Sequence, residues 1–269
     1  MAYKRITIQL KGDASDNEHL RLSDFIAQLD AIRNSLGQLE EHLTHHHKRA
    51  IYYRVVDLSH SSPATVVLDA VPYDNAQSDV TSLVVDKFVS GIRSIQRGIA
   101  PPGFGYELLE SFKKIAMPLK RRVSQLSIST DVESVEITSD ISMAIDKIVG
   151  PDEIVRGSIS GVLEYFNVHA GVNLLRIYPI VGPKKVDCHF PKEQIHKARA
   201  AVTKYVSIEG ELRYKSSEPF PYAVNVSDIE IFLDEDELPS LFDLRGIAPQ
   251  ATGNLSSEEF VGLMRNGQG

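Results

Sequence analysis

The chain has 269 residues, enough for one large domain or two ordinary ones, and its 42% hydrophobic and 24% charged residues are those of a globular protein. No apolar run approaches the roughly 20 residues a membrane helix needs, and the single cysteine, Cys188, excludes an internal disulfide framework and a Cys-rich zinc module. The net charge of −7 is uneven: residues 1–150 carry 17 basic and 19 acidic side chains, 151–232 carry 10 and 10, and 233–269 carry 2 and 7, which makes the body a poor general binder of phosphate backbones.

Residues 3–10 alternate as a strand and lack the apolar core of a secretory signal, so a cytoplasmic protein without membrane contact is expected. Ser23 is placed to cap a long amphipathic helix, with Phe25, Ile26, Leu29, Ile32, Leu36, Leu39 and Leu43 stepping by threes and fours. That helix runs into "EEHLTHHHKRA". Here His42, His45 and His46 share one side, the geometry two imidazoles need for one metal ion. The last turn of a helix also favours donors and cations, and no third ligand is indicated. The helix-end reading is preferred, and neither metal nor cofactor is expected.

"IYYRVVDLS" and "ATVVLDAV", split by "HSSP", read as a β-hairpin. A second amphipathic helix carries Val80, Leu83, Val84, Phe88, Ile92 and Ile95, and "GIAPPGFG" ends it as a rigid connector without phosphate-loop chemistry. A short helix over Tyr106–Ala116, strands near Val123–Ser129 and Val135–Thr138, and a helix from about Ser139 to Val149 complete an α+β domain over 1–150. The basic run Lys113, Lys114, Lys120, Arg121 and Arg122 reads as a solvated face, with an anion or nucleic-acid contact as the alternative. Gly150-Pro151 marks the expected boundary.

From Glu153 the order is three strands, a helix over "KEQIHKARAAVTKY", and two strands, with a glycine inside the first strand where a tightly curled barrel needs one. Over residues 151–232 this order resembles the OB-fold, a five-stranded β-barrel with its helix between the third and fourth strands. The fold expected is α+β: an N-terminal α+β domain, an OB-like barrel, and a tail over 233–269. In the barrel, Arg176, Tyr178, Lys184 and Lys185 fall where such barrels bind single strands by stacking and charge, giving nucleic acid as a possible but weak partner. "VDCHF" sets Cys188 beside His189, but adjacent strand residues point to opposite faces, so a buried cysteine is expected rather than a nucleophile with its base.

The tail, "LDEDELPSLFDLRGIAPQATGNLSSEEFVGLMRNGQG", has no strand pattern and two apolar clusters on an acidic background. "SSEEFVGLMR" can form a short helix with Ser256 as N-cap, too short to be stable alone. The wording of "LPSLFDLRGIAPQATGNLSSEEFVGLMR" resembles the C-terminal tails by which bacterial antitoxins wrap a nuclease toxin. The resemblance covers fewer than 40 residues and implies a protein partner.

The residues themselves supply anchors for docking, with Leu241, Phe242, Leu244, Arg245, Phe260, Met264 and Arg265 the expected contacts. An inserted arginine could pair with the carboxylates of a metal-dependent nuclease. The competing reading is a tail that packs on its own barrel or stays disordered. Without a GxSxG elbow or another local catalytic signature, the expectation is a non-enzymatic interaction factor, an antitoxin among its possible forms. A single-stranded nucleic-acid-binding protein is the alternative.

Overall fold

The alternation in the first strand sets the architecture of the first sheet. In β1 (Lys4–Gly12), Ile6, Ile8 and Leu10 are buried, while Arg5 and Gln9 on the other phase are exposed. The computed structural model of the protein describes residues 3–44, 48–73, 78–120, 122–216, 218–233 and 252–265. It divides into two units, one of Met1–Val155 with Arg213–Tyr222, the other of Arg156–Leu212 with Ala223–Gly269.

In the first unit, β1 is followed by α1 (Leu22–Thr44), β2 (Ile51–Ser59), β3 (Ala64–Pro72), α2 (Ser78–Gln96), α3 (Tyr106–Ala116), β4 (Val123–Thr130), β5 (Ser134–Ile137) and α4 (Ile141–Val149). The strands form one sheet in the order β2-β3-β1-β4-β5, every neighbouring pair antiparallel. Register places Ile8 between Val66 and Ile128, so the apolar phases of three strands meet on one face. Ile32, Leu36 and Leu39 of α1, Phe88 and Ile92 of α2 and Phe112 of α3 pack there in one core, with the Phe88 and Phe112 rings 5.1 Å apart.

Helix α1 begins one residue before Ser23. The N–H groups of Asp24 and Phe25 donate to the Arg21 carbonyl, so Arg21 occupies the position expected of Ser23. At α3 the N-cap is Gly105, which has no side chain to offer, and Glu218 supplies the acceptor instead: its Oε1 accepts from the Tyr106 N–H at 2.6 Å. In the basic run, Lys113 pairs with Asp146 at 2.5 Å and Glu110 at 3.5 Å, and Arg122 lies 4.0 Å from Asp24. Lys114 is exposed. The Lys120 side chain and Arg121 lie outside the described residues, as do His45 and His46 of the histidine cluster.

The second unit is built on most of β6 (Asp152–Asn167), β7 (Leu174–Tyr178), β8 (Val186–His189), α5 (Ile195–Ala200), most of β9 (Tyr205–Lys215) and β10 (Ala223–Ile231), with α6 (Ser257–Arg265) after them in sequence; the first residues of β6 and the last of β9 belong to the first unit. The strands close into a ring in the order β10-β8-β7-β6-β9, with β8 and β10 parallel. Leu163, Leu175, Ile177, Val186, Val206, Ile208 and Val224 are fully buried. Curling brings backbones close at Gly161, where a Cβ would lie 2.8 Å from the Tyr178 carbonyl, and at Gly210, where it would lie 2.1 Å from the Asn225 oxygen.

Helix α5 is shorter than the sequence pattern suggests. Thr203 adopts φ 72°, and its N–H donates to the Leu163 carbonyl at 2.8 Å, so pairing with β6 takes the chain before the helix can continue. No helix among the described residues is long and apolar enough to cross a membrane.

Candidate functional site

Helix α6 is specified locally. The Ser256 Oγ accepts from the Glu259 N–H at 3.2 Å, while Glu259 Oε2 accepts from the Ser256 N–H at 2.9 Å, a reciprocal capping box. The Ser256 backbone N–H holds the Glu259 carboxyl below the usual carboxylate range. Just before the helix, the Thr252 hydroxyl donates to the Leu255 carbonyl at 2.8 Å. Glu258 and Glu259 lie in the first turn and Arg265 in the last, each sign at the end that the helix dipole favours.

No residue of α6 is buried. Phe260 is half-buried, Leu263 and Met264 are exposed, and their spacing of three and four puts them on one side. Val261 and Arg265 share an adjacent stripe, both exposed. The remaining expected contacts, Leu241, Phe242, Leu244 and Arg245, lie outside the described residues.

On the outer face of the strand ring, register lines up Tyr165 of β6, Arg176 of β7 and Asp187 of β8 in one row. Arg176 Nε donates to Asp187 Oδ1 at 2.5 Å, and its guanidinium lies 5.0 Å from the Tyr165 ring centroid. Hydrogen bonding to Asp187 pushes the Arg176 pKa further up. Tyr178, two residues along β7, is half-buried on the same face, and Lys184 and Lys185 sit in the β7–β8 turn beside the exposed Ile180 and Val181. Arg176 and Tyr178 are thus brought together, but Asp187 balances the charge. Sequence reasoning missed Tyr165, whose place depends on a bulge in the β6–β7 register. Cys188 is fully buried and burial raises its thiol pKa, whereas His189 is exposed; the two do not form a nucleophile and base.

A third group of residues escaped the sequence reading altogether. On the face of the first sheet opposite the first unit's helices, Arg5 Nε donates to Asp69 Oδ1 at 3.0 Å and an Arg54 terminal nitrogen lies 3.4 Å from Asp69 Oδ2. The Arg5 and Arg54 hydrogen bonds hold the Asp69 carboxyl below the usual range. The Arg54 guanidinium lies 5.2 Å from the Tyr3 ring centroid, and the Tyr52 and Tyr73 rings are 4.9 Å apart. The signal available in sequence was the polar phase of two strands, Tyr3-Arg5 and Tyr52-Arg54, each tyrosine two residues before its arginine. No family model, curated protein or solved structure matches the chain.

Proposed function

We propose that this chain is a non-enzymatic interaction factor that docks on a partner protein through its C-terminal helix. The observation that carries the reading is α6: a helix closed by its own capping box whose apolar residues Val261, Leu263 and Met264 are all exposed. A nine-residue helix gains little stability from propensity, so a surface that covers its apolar side would supply most of what holds it.

The acidic excess of the tail favours a basic partner surface, because complementary charge raises encounter rates and suppresses wrong partners. Together with the tail's resemblance to antitoxins, this makes a nuclease toxin the partner we infer. Arg265, exposed in the last turn, is then a cation able to pair bidentately with active-site carboxylates.

The second unit has five strands and a helix between the third and fourth, and we read it as an OB-like barrel. Its outer row favours a second reading, in which single strands stack on Tyr165 beside Arg176. The Arg176–Asp187 pair weakens that reading, since the guanidinium already has its anion.

The test is capture from native lysate by the full chain and by the variant Leu263→Asp/Met264→Asp. The wild type is expected to retain a partner that the variant loses, with both showing the same circular dichroism. The retained protein is expected to cleave nucleic acid once separated and to be inhibited when the chain is added back. Equal retention by the variant would sink the docking role of α6, and a partner without nuclease activity would remove the antitoxin form of the proposal.

A further inference from the structure

We propose that the face of the first unit's sheet opposite its helices binds single-stranded nucleic acid, with bases stacked on Tyr3, Tyr52 and Tyr73 and phosphates held by Arg5 and Arg54. The site uses no residue of α6 or of the strand ring, and it stands whether or not α6 docks a partner.

The buried phase of β1, β3 and β4 is used up against the helices, and on the other side of the sheet Asp69 and Val71 of β3 are buried as well. That leaves Arg5, Thr7, Gln9, Ser127 and Ser129 exposed or half-buried on the other side. Their hydroxyl and amide groups offer both donors and acceptors in a row, with Ser127 Oγ 3.3 Å from Gln9 Oε1. At one end of this row stand the tyrosines. Tyr3, Tyr52 and Tyr73 are 41%, 37% and 50% exposed, and they make up three of the five tyrosines among the described residues that are this open to solvent. Register explains the gathering: Tyr52 pairs with Val71, Arg54 with Asp69 and Asp69 with Arg5, so alternate residues of β1, β2 and β3 emerge together. The Tyr52 and Tyr73 planes are inclined at 47°, so they do not consume each other's faces by parallel stacking.

The arginines are positioned before any ligand arrives. The Asp69 side chain is 8% exposed, and those of Arg5 and Arg54 are 52% and 48% exposed. One carboxylate at the floor of the sheet therefore orients two half-exposed guanidinium groups, and the three side chains together carry one net positive charge. A guanidinium has five N–H donors, and each of these two contributes one nitrogen to Asp69. Fixed donors beside partly exposed aromatic rings are the pairing that single strands need: phosphates meet the arginines while bases, unpaired and free to splay, stack on the ring faces that Arg54 and the neighbouring tyrosine leave uncovered. A duplex hides its base faces and would meet only the charges.

Purified full chain would be titrated into fluorescently labelled single-stranded DNA and RNA of about 16 nucleotides, the upper end of single-module site sizes. Anisotropy is expected to report saturable binding that weakens with salt at a log–log slope of about −1.4, as two phosphate contacts require. Tyr52→Ala/Tyr73→Ala is expected to weaken it about tenfold or more, because each ring removed takes a stacking partner with it. Arg176→Ala/Lys185→Ala, on the other unit, is expected to leave it unchanged, and so is Leu263→Asp/Met264→Asp. Ultraviolet cross-linking of the wild-type complex avoids any folding defect of the variants, and the cross-linked peptides should contain Tyr3, Tyr52 or Tyr73. Absence of binding at low salt, competition by duplex as strong as by single strands, loss of binding with the Arg176 pair, or cross-links confined to other peptides would each overturn the proposal.

Discussion

Glu40 is a carboxylate on α1 with only 2% of its surface exposed. Its Oε1 accepts from the backbone N–H groups of Ala50 and Ile51, at 2.5 and 2.9 Å, where the chain enters β2. One side chain thus ties the first helix to the start of the edge strand. A buried donor left without an acceptor costs about 1–3 kcal/mol, so Glu40→Ala should lose about 2–4 kcal/mol in urea unfolding. Glu40→Gln keeps an acceptor in place and should lose about half as much. Equal losses would assign the effect to packing instead. Beside it the Tyr53 hydroxyl is buried with no hydrogen-bond partner among the described residues, and burial, with the Glu40 charge, pushes its pKa above the usual tyrosine value. The neutral phenol is favoured in the folded chain, so this stability is present below the unfolded pKa of about 10 and is lost as pH rises above it. The loss cannot exceed about 1.4 kcal/mol per pH unit for one group. The buried Cys188 thiol and the Tyr106 phenol, both raised by burial, contribute a decline over the same range, so Tyr53→Phe should make the alkaline fall shallower rather than abolish it. A variant whose stability falls as steeply as wild type would assign the decline to those groups.

At the scale of elements, what could be read from sequence was what local pattern determines. Helix α3 spans the expected Tyr106–Ala116, its apolar residues at helical spacing and Pro118 closing it. Ser256 caps α6 as its S-x-x-E pattern implies, because both halves of a capping box lie within one turn. Where a distant partner decides, local pattern fails. Ser23 has the side chain of a cap, yet the turn before α1 brings the Arg21 carbonyl into that place. The run after Gln194 has helical composition, yet the Leu163 carbonyl in β6 captures the Thr203 N–H. The corner formed by Tyr3, Arg5, Arg54 and Asp69 is the clearest case. Alternation in β1 was read for its apolar phase alone, and the polar phase gains meaning only through the β1–β3 register, which joins residues 64 apart in sequence.

The same non-local logic governs the whole molecule, because the first unit is not a continuous stretch of chain. Residues Arg213–Tyr222 belong to it, and they bring groups that contact the start of α3 and the start of β6. Glu218 caps α3, Lys215 pairs with Asp152 at 2.5 Å, the Tyr222 hydroxyl donates to Asp152 Oδ2 at 2.8 Å, and the Tyr222 and Tyr106 rings lie 5.1 Å apart. A piece ending at Gly150 would lack all of these, although the composition there reads as a boundary. Loss of an N-cap acceptor costs about 1 kcal/mol, which in a unit of this size lowers the melting temperature by about 2–4 °C. Glu218→Ala in the full chain should therefore show that shift and faster hydrogen exchange at the Tyr106 amide. Residues 1–150 alone should melt lower still, since the ring pair and the Lys215–Asp152 pair go with the cap. If the isolated piece melts with the first unit of the intact chain and protects the Tyr106 amide equally well, the returning segment contributes nothing to its stability, and α3 must find its N-terminal acceptor within its own stretch of sequence.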